Sequence, residues 1–133
     1  MQNTIDTFGP LVGRIMMAVI FLFSGFGKIT GFAGTAGFMT SKGLPMVEAL
    51  LIASIVIEIG GALMLILGYK AKLGATALFL WMIPVTFVFH NFWAVPAGEQ
   101  QIQMIMFMKN LAMLGGLLYI MAFGSGPMCL AKK

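Results

Sequence analysis

The acid and base side chains of this 133-residue chain stand inside strongly apolar segments. Glu58 lies in the run LLIASIVIEIGGALMLIL, and an ionised acid at the centre of a membrane helix costs about 2.5–3.5 kcal/mol. Glu58 must therefore be paired, protonated or directed at a polar cavity. Such a carboxylate can act as a proton acceptor, as a ligand anchor, or as one half of a buried ion pair that fixes the order of the helices.

The other candidate site residues are polar or amphipathic side chains placed near the ends of apolar segments. They are Arg14, Lys28, His90, Asn91, Trp93, Lys109 and Asn110. Lys28, Arg14 and Lys109 are alternative counter-ions for Glu58, and the sequence does not choose between them. His90 fits either an aromatic belt at the membrane interface or a ligand donor. We expect these groups to line one polar pocket that opens to the outer side of the membrane, and we assign no catalytic residue.

The composition identifies an integral membrane protein. The chain is 60% hydrophobic and 9% charged, whereas about a quarter of the residues of soluble domains are charged. The mean hydropathy is +1.01. No Asp, Glu, Lys or Arg lies between Lys72 and Glu99 or between Lys109 and Lys132, and each gap exceeds the roughly 20 residues that span a bilayer.

We predict an all-α integral membrane fold, a four-helix bundle in a single domain over residues 1–133. The transmembrane helices are predicted at approximately residues 10–30, 46–68, 72–94 and 103–124. The first begins after Gly9-Pro10, since proline is tolerated in a first helical turn. The glycine- and phenylalanine-rich loop that follows the first span is predicted to form a short amphipathic segment in the membrane interface.

Helical periodicity predicts which faces of the first two spans point into the bundle. In each span, one face combines charged or polar residues with small or apolar ones. These positions are Arg14, Phe21, Gly25 and Lys28 in the first span and Ser54, Glu58, Gly61 and Leu65 in the second. Because lipid rejects charge, both faces are expected to lie inside the bundle.

The distribution of cations predicts an orientation and excludes nucleic acid as a partner. The net charge of +4 is scattered along the chain and sits mostly at helix ends, where the bilayer explains it. In a four-span topology, Arg14, Lys70, Lys72, Lys132 and Lys133 fall on one side. The positive-inside rule then places both termini in the cytoplasm.

The chain has few of the cysteine and histidine side chains that bind metals and redox cofactors. The chain has one cysteine, Cys129, and one histidine, His90. Alone it cannot form an intramolecular disulfide, a bis-histidine haem site, an iron–sulfur cluster or a dithiol relay. We predict no metal site and no covalently bound cofactor.

Several short motifs in order give the sequence a family resemblance. They are Arg14 with FLFSGFGKI after it, the loop GFAGTAGFM with GLP, EIGG at Glu58, LG at Leu67-Gly68, HNFW at His90 and MFMKNL at Lys109. Over nearly its whole length the chain resembles the DoxX family of small, four-helix inner-membrane proteins. The resemblance implies a multi-pass protein of the bacterial inner membrane, a link to quinone-dependent redox chemistry, and a bundle lined by Glu58, His90 and Lys109.

Three functions are compatible with these observations. The first is a membrane subunit that binds a quinone or another small apolar molecule, with a partner redox subunit or further copies of the chain. The second is a structural or assembly subunit without enzymatic activity. The third is a small proton-linked transporter, which Pro84 in the third span and the buried Glu58 would suit. Whether the chain is an enzyme is left open.

Overall fold

A computed structural model of the chain describes residues 2–130, with side chains from residue 3 onward. The helices are α1 (Gln2–Thr30), α2 (Phe32–Ser41), α3 (Val47–Leu67), α4 (Ala71–Phe89) and α5 (Ala97–Phe123), and a 3-10 turn at Phe92–Ala94 joins α4 to α5. The described residues contain no strand. Lys132 and Lys133, which contribute to the predicted orientation, lie outside the described residues.

Four of these helices are long and apolar enough to cross a membrane, which confirms the predicted fold class. The candidate spans are Asn3–Thr30, Val47–Leu67, Ala71–Ala94 and Ala97–Phe123. Two of them begin earlier than predicted. α1 runs through Pro10, because a proline removes one backbone donor without necessarily ending a helix. α5 extends back over a polar first turn, where Glu99 complements the positive end of the helix dipole.

The segment predicted between the first two spans is the short helix α2. Its Met39 is buried, and its Phe38 ring stacks on Phe89 of α4 with centroids 5.6 Å apart. Gly43, in the left-handed conformation with φ of 79°, follows α2 and turns the chain toward α3. α2 is thereby held over one end of the bundle.

The spans pack in the order α1, α3, α4, α5, and α1 makes little contact with α5. Glycine residues permit the closest approaches between neighbouring helices. A Cβ placed on Gly25 of α1 would lie 2.5 Å from Cγ1 of Ile59 in α3, and one on Gly61 would lie 2.7 Å from Cγ of Leu78 in α4. The buried apolar core follows the same interfaces and comprises Ala18, Phe21, Ala62, Leu65, Ala71, Ala75, Leu78, Met82 and Leu117.

Arg14 joins three segments at the end of the bundle opposite α2. The Arg14 side chain is 2% exposed, and its guanidinium donates to the backbone oxygens of Leu65 at 2.7 Å and of Met128 at 2.8 Å. These oxygens belong to the last turn of α3 and to the tail after α5. A cation at a helix C-terminus also complements the negative end of the helix dipole. Arg14 therefore holds the tail against α1 and α3.

Replacing Arg14 with Gln should lower the free energy of unfolding by about 2 kcal/mol, because the carbonyl groups of Leu65 and Met128 lose a charged donor. Thermal unfolding of the full chain in detergent measures the change, and limited proteolysis should then cut faster after Phe123. The control is Lys72→Gln, which removes the same charge from an exposed side chain. A variant that unfolds at the wild-type temperature with an uncut tail would contradict the assignment.

Candidate ligand-binding site

Two pairs of side chains with helical i, i+4 spacing face each other across the interface between α1 and α3. Ser24 and Lys28 come from α1, and Ser54 and Glu58 come from α3. The Nζ of Lys28 donates to Oε1 and Oε2 of Glu58 at 2.8 and 2.9 Å, and to Oγ of Ser54 at 2.8 Å. The Ser24 hydroxyl donates to Oε1 of Glu58 at 3.2 Å. The approach at Gly25 brings these groups within reach of each other.

This ion pair is shielded from the outside but borders a cavity. Glu58 is 6% exposed, and the side chain of Lys28 is 20% exposed. Trp81 of α4 donates from Nε1 to Oγ of Ser54 at 3.1 Å, so three helices meet at this cluster. Of the three cations proposed as counter-ions for Glu58, the structure selects Lys28.

The cavity beside the ion pair has a volume of about 610 Å³ and is lined by residues from all five helices. Five predicted site residues contribute to its wall, namely Lys28, Glu58, His90, Lys109 and Asn110. The apolar part of the wall comprises Ile20, Phe21, Phe23, Phe38, Met39, Leu51, Met82, Val85, Phe89 and Met113. α2 closes one side of the cavity through Thr35, Phe38 and Met39.

Two further polar side chains of the wall are hydrogen-bonded to neighbours. Nδ1 of His90 lies 2.9 Å from Oε1 of Gln103, and Nδ2 of Asn110 donates to Oγ1 of Thr86 at 3.0 Å. Because an amide oxygen only accepts, Nδ1 of His90 is the donor in this contact, and in the tautomer with its proton on Nδ1 the other ring nitrogen, Nε2, is an acceptor. The cavity therefore holds a potential proton acceptor at His90.

Lys109 differs from the other polar residues of the wall. Its side chain is exposed, and its Nζ donates to Sδ of Met106 at 3.4 Å. A thioether sulfur is a weak acceptor and carries no charge. Within residues 2–130 the ammonium group of Lys109 forms no ion pair.

Three predicted site residues lie outside this cavity. Arg14 borders a second cavity of about 440 Å³ between α1 and α5, at the other end of the bundle. Trp93 is exposed and packs edge-on against Phe107 with centroids 5.8 Å apart. Asn91 precedes the 3-10 turn, and its buried Oδ1 has no hydrogen-bond partner among the described residues.

The sequence analysis missed four polar residues of the wall. These residues line the cavity from four different helices. They are Ser24 of α1, Thr35 of α2, Trp81 of α4 and Gln103 of α5. Ser24 stands four residues before Lys28, and Gln103 stands seven before Asn110, so helical spacing was an available signal. For Trp81 the signal was weaker, because an indole within a span is also ordinary apolar filling.

Comparisons with known proteins relate this chain to small membrane proteins. The sequence model of the DoxX family matches residues 9–91. Inner membrane protein YqjF of Escherichia coli K12 is 36% identical over 127 residues, which cover 94% of this chain and 91% of that protein. Inner membrane protein YphA of the same organism is 29% identical over 123 residues, which cover 92% and 88%.

A more distant similarity reaches a eukaryotic protein. The Surfeit locus protein 4 homolog of Schizosaccharomyces pombe is 25% identical over 129 residues, which cover 96% of this chain and 38% of that protein. No solved structure matches the chain significantly. The family match covers more than half of the sequence, and YqjF aligns along nearly its full length. The chain belongs to the DoxX family.

Proposed function

We propose that this protein binds a quinone, or a similar small molecule with carbonyl groups, in the cavity of about 610 Å³, as a subunit of an inner-membrane redox process. The observation that carries the proposal is the convergence on this cavity of amine, acid and imidazole groups from α1, α3, α5 and the residue that follows α4. Its volume falls within the roughly 300–1,000 Å³ of ligand pockets, and a mostly apolar wall with a few convergent polar groups is typical of them.

The polar groups of the wall match the chemistry of a quinone and its quinol. The ammonium of Lys109 can donate to a carbonyl oxygen, and Nε2 of His90 can accept the proton of a quinol hydroxyl. The rings of Phe38, Phe89 and Trp81 line the same cavity and suit the face of a planar ligand.

Electron transfer requires a partner. Oxidation of a quinol to a quinone releases two protons and two electrons, and the chain's single histidine and single cysteine build no electron carrier. The proposed subunit therefore positions the ligand and moves protons, while a partner redox subunit accepts or supplies the electrons. Further copies of the chain are compatible with this arrangement.

The second candidate is a structural or assembly subunit. It is favoured by the hydrogen bonds that the Glu58 carboxylate already accepts from within the protein. Lys28 and Ser24 both donate to the Glu58 carboxylate, and Lys28 also reaches Ser54. A buried ion pair with such partners can serve to fix the order of helices rather than to act on a ligand. Ligand binding and stability must therefore be measured separately.

The two tryptophans provide a direct test of quinone binding. Trp81 lines the cavity and Trp93 does not, so Trp93→Phe leaves a reporter in the site and Trp81→Phe leaves one outside it. In non-ionic detergent, 1,4-naphthoquinone should quench Trp81 saturably and quench Trp93 in linear proportion to its concentration. Linear quenching of both, with no quinone in lipid extracts of the purified protein by mass spectrometry, would contradict the proposal.

Changing the ion pair separates the two candidates. Glu58→Gln leaves the ammonium of Lys28 unpaired and should lower the stability by about 3 kcal/mol, whereas a double Lys28→Met and Glu58→Met variant should recover most of it. If the pair belongs to the ligand site, the double variant should bind naphthoquinone at least roughly tenfold more weakly, which is about 1.4 kcal/mol. Unchanged binding by this stable variant favours the structural role, and Glu48→Gln in the exposed first turn of α3 is the control.

The proposed orientation places both termini in the cytoplasm, following the positive-inside rule for Arg14, Lys70 and Lys72. A green fluorescent protein fused after residue 133 should be fluorescent in bacterial cells, and alkaline phosphatase fused at the same point should be inactive. The reverse pair of results would overturn the orientation. Fusions between Gly43 and Pro45, at the other end of the bundle, should give the opposite pattern and serve as the control.

A further inference from the structure

The charges that line the cavity do not cancel. Lys28 and Glu58 neutralise each other in one ion pair, with Nζ 2.8 Å from Oε1. With His90 counted as neutral in the formal charge, no acid other than Glu58 lines the cavity. The ammonium of Lys109 therefore gives the described wall a formal charge of +1.

Lys109 stands inside the last span, where an uncompensated charge is costly. α5 begins at Ala97 and ends at Phe123, so Lys109 is near its middle, about 18 Å along the axis from the first residue. Glu99, the other charged residue of α5, is separated from Lys109 by about 15 Å of helix rise. The carboxylate of Glu58 is already bound by Lys28 and Ser24.

The ammonium of Lys109 is also the strongest hydrogen-bond donor in the wall that has no oxygen or nitrogen acceptor. Trp81 donates to Ser54, and Asn110 donates to Thr86. Nζ of Lys109 instead meets the thioether of Met106. A ligand oxygen that replaces this sulfur gains a charge-assisted hydrogen bond, which is strongest when the oxygen is itself ionised.

We infer that the ligand of this cavity is an organic monoanion, a planar ring whose ionised oxygen, a carboxylate or an enolate, pairs with Lys109. The inference rests on the proposed ligand site and goes beyond it, because a neutral quinone offers Lys109 only an uncharged acceptor. The anion neutralises the surplus charge of the wall, while Phe38, Phe89 and Trp81 surround the ring.

Two naphthoquinones of nearly equal size test this inference. 1,4-Naphthoquinone is neutral, and 2-hydroxy-1,4-naphthoquinone is an enolate at neutral pH. Their dissociation constants are measured from Trp81 fluorescence in the Trp93→Phe background in non-ionic detergent, corrected for partition into empty micelles. The enolate should bind about tenfold more tightly, because it adds a charge-assisted bond. A ring carboxylate, 2-naphthoate, should show the same advantage over its methyl ester.

Substitution at Lys109 attributes the preference to that residue. Lys109→Gln should bring the two naphthoquinones within about twofold of each other, and Lys109→Arg, which keeps the charge, should retain the preference. Lys72→Gln removes an equal charge from an exposed site on another helix and should change nothing. The melting temperature of each variant shows that it is folded, and it should not fall below the wild-type value, because Lys109 is exposed and forms no ion pair with a described residue.

Each outcome of these binding measurements either supports or contradicts the monoanion. Equal binding of the enolate and the neutral quinone, or a preference that survives Lys109→Gln, would overturn the monoanion and leave the proposed ligand site in place. Saturable binding of neither naphthoquinone, with no binding of naphthoate, would overturn the proposed site and this inference together. An enolate preference that is lost in Lys109→Gln alone supports both.

Discussion

The ion pair between Lys28 and Glu58 is the constraint on which the arrangement of the helices depends. In hydrocarbon neither charge can stay unpaired without a cost of several kcal/mol, so α1 and α3 must bring them together. The missing side chain at Gly25 lets the two helices approach closely enough, since a Cβ there would lie 2.5 Å from Ile59. Ser24 and Ser54 then satisfy the remaining polar atoms of the pair.

Once Glu58 is bound by Lys28, the other polar groups of the spans must find different partners. Asn110 donates to Thr86, His90 pairs with Gln103, and Arg14 donates to backbone oxygens at the opposite end. The first two contacts join α5 to the end of α4, and the third joins α1 to α3 and the C-terminal tail, so each also fixes the packing. Among residues 2–130, Lys109 makes no comparable contact, since its Nζ donates only to the sulfur of Met106 in the same helix. Lys109 therefore differs from the polar residues whose hydrogen bonds hold the helices together.

Composition and periodicity could predict the four spans and the inward faces of the first two, because lipid tolerates neither charge nor an unsatisfied backbone. They could not choose the partner of Glu58. Arg14 and Lys28 lie on the same stripe of α1, and the choice depends on how far α1 slides along α3, which side-chain packing decides. Nor did the pattern reveal that Arg14 caps α3, since its acceptors are backbone oxygens, which every residue type presents.

The helices differ in how deeply they are buried within the bundle. α3 lies between α1 and α4, and 33% of the residues in its most apolar stretch are buried, whereas the figure for α5 is 11% and α5 contacts α1 little. The buried polar residues of α3, Ser54 and Glu58, are thus enclosed by protein on both sides and are satisfied within it. On α5, Asn110 is buried and donates to Thr86 of α4, whereas Lys109 is exposed and lines the cavity. A cation that the fold does not need can persist there only if lipid, water or a ligand compensates its charge.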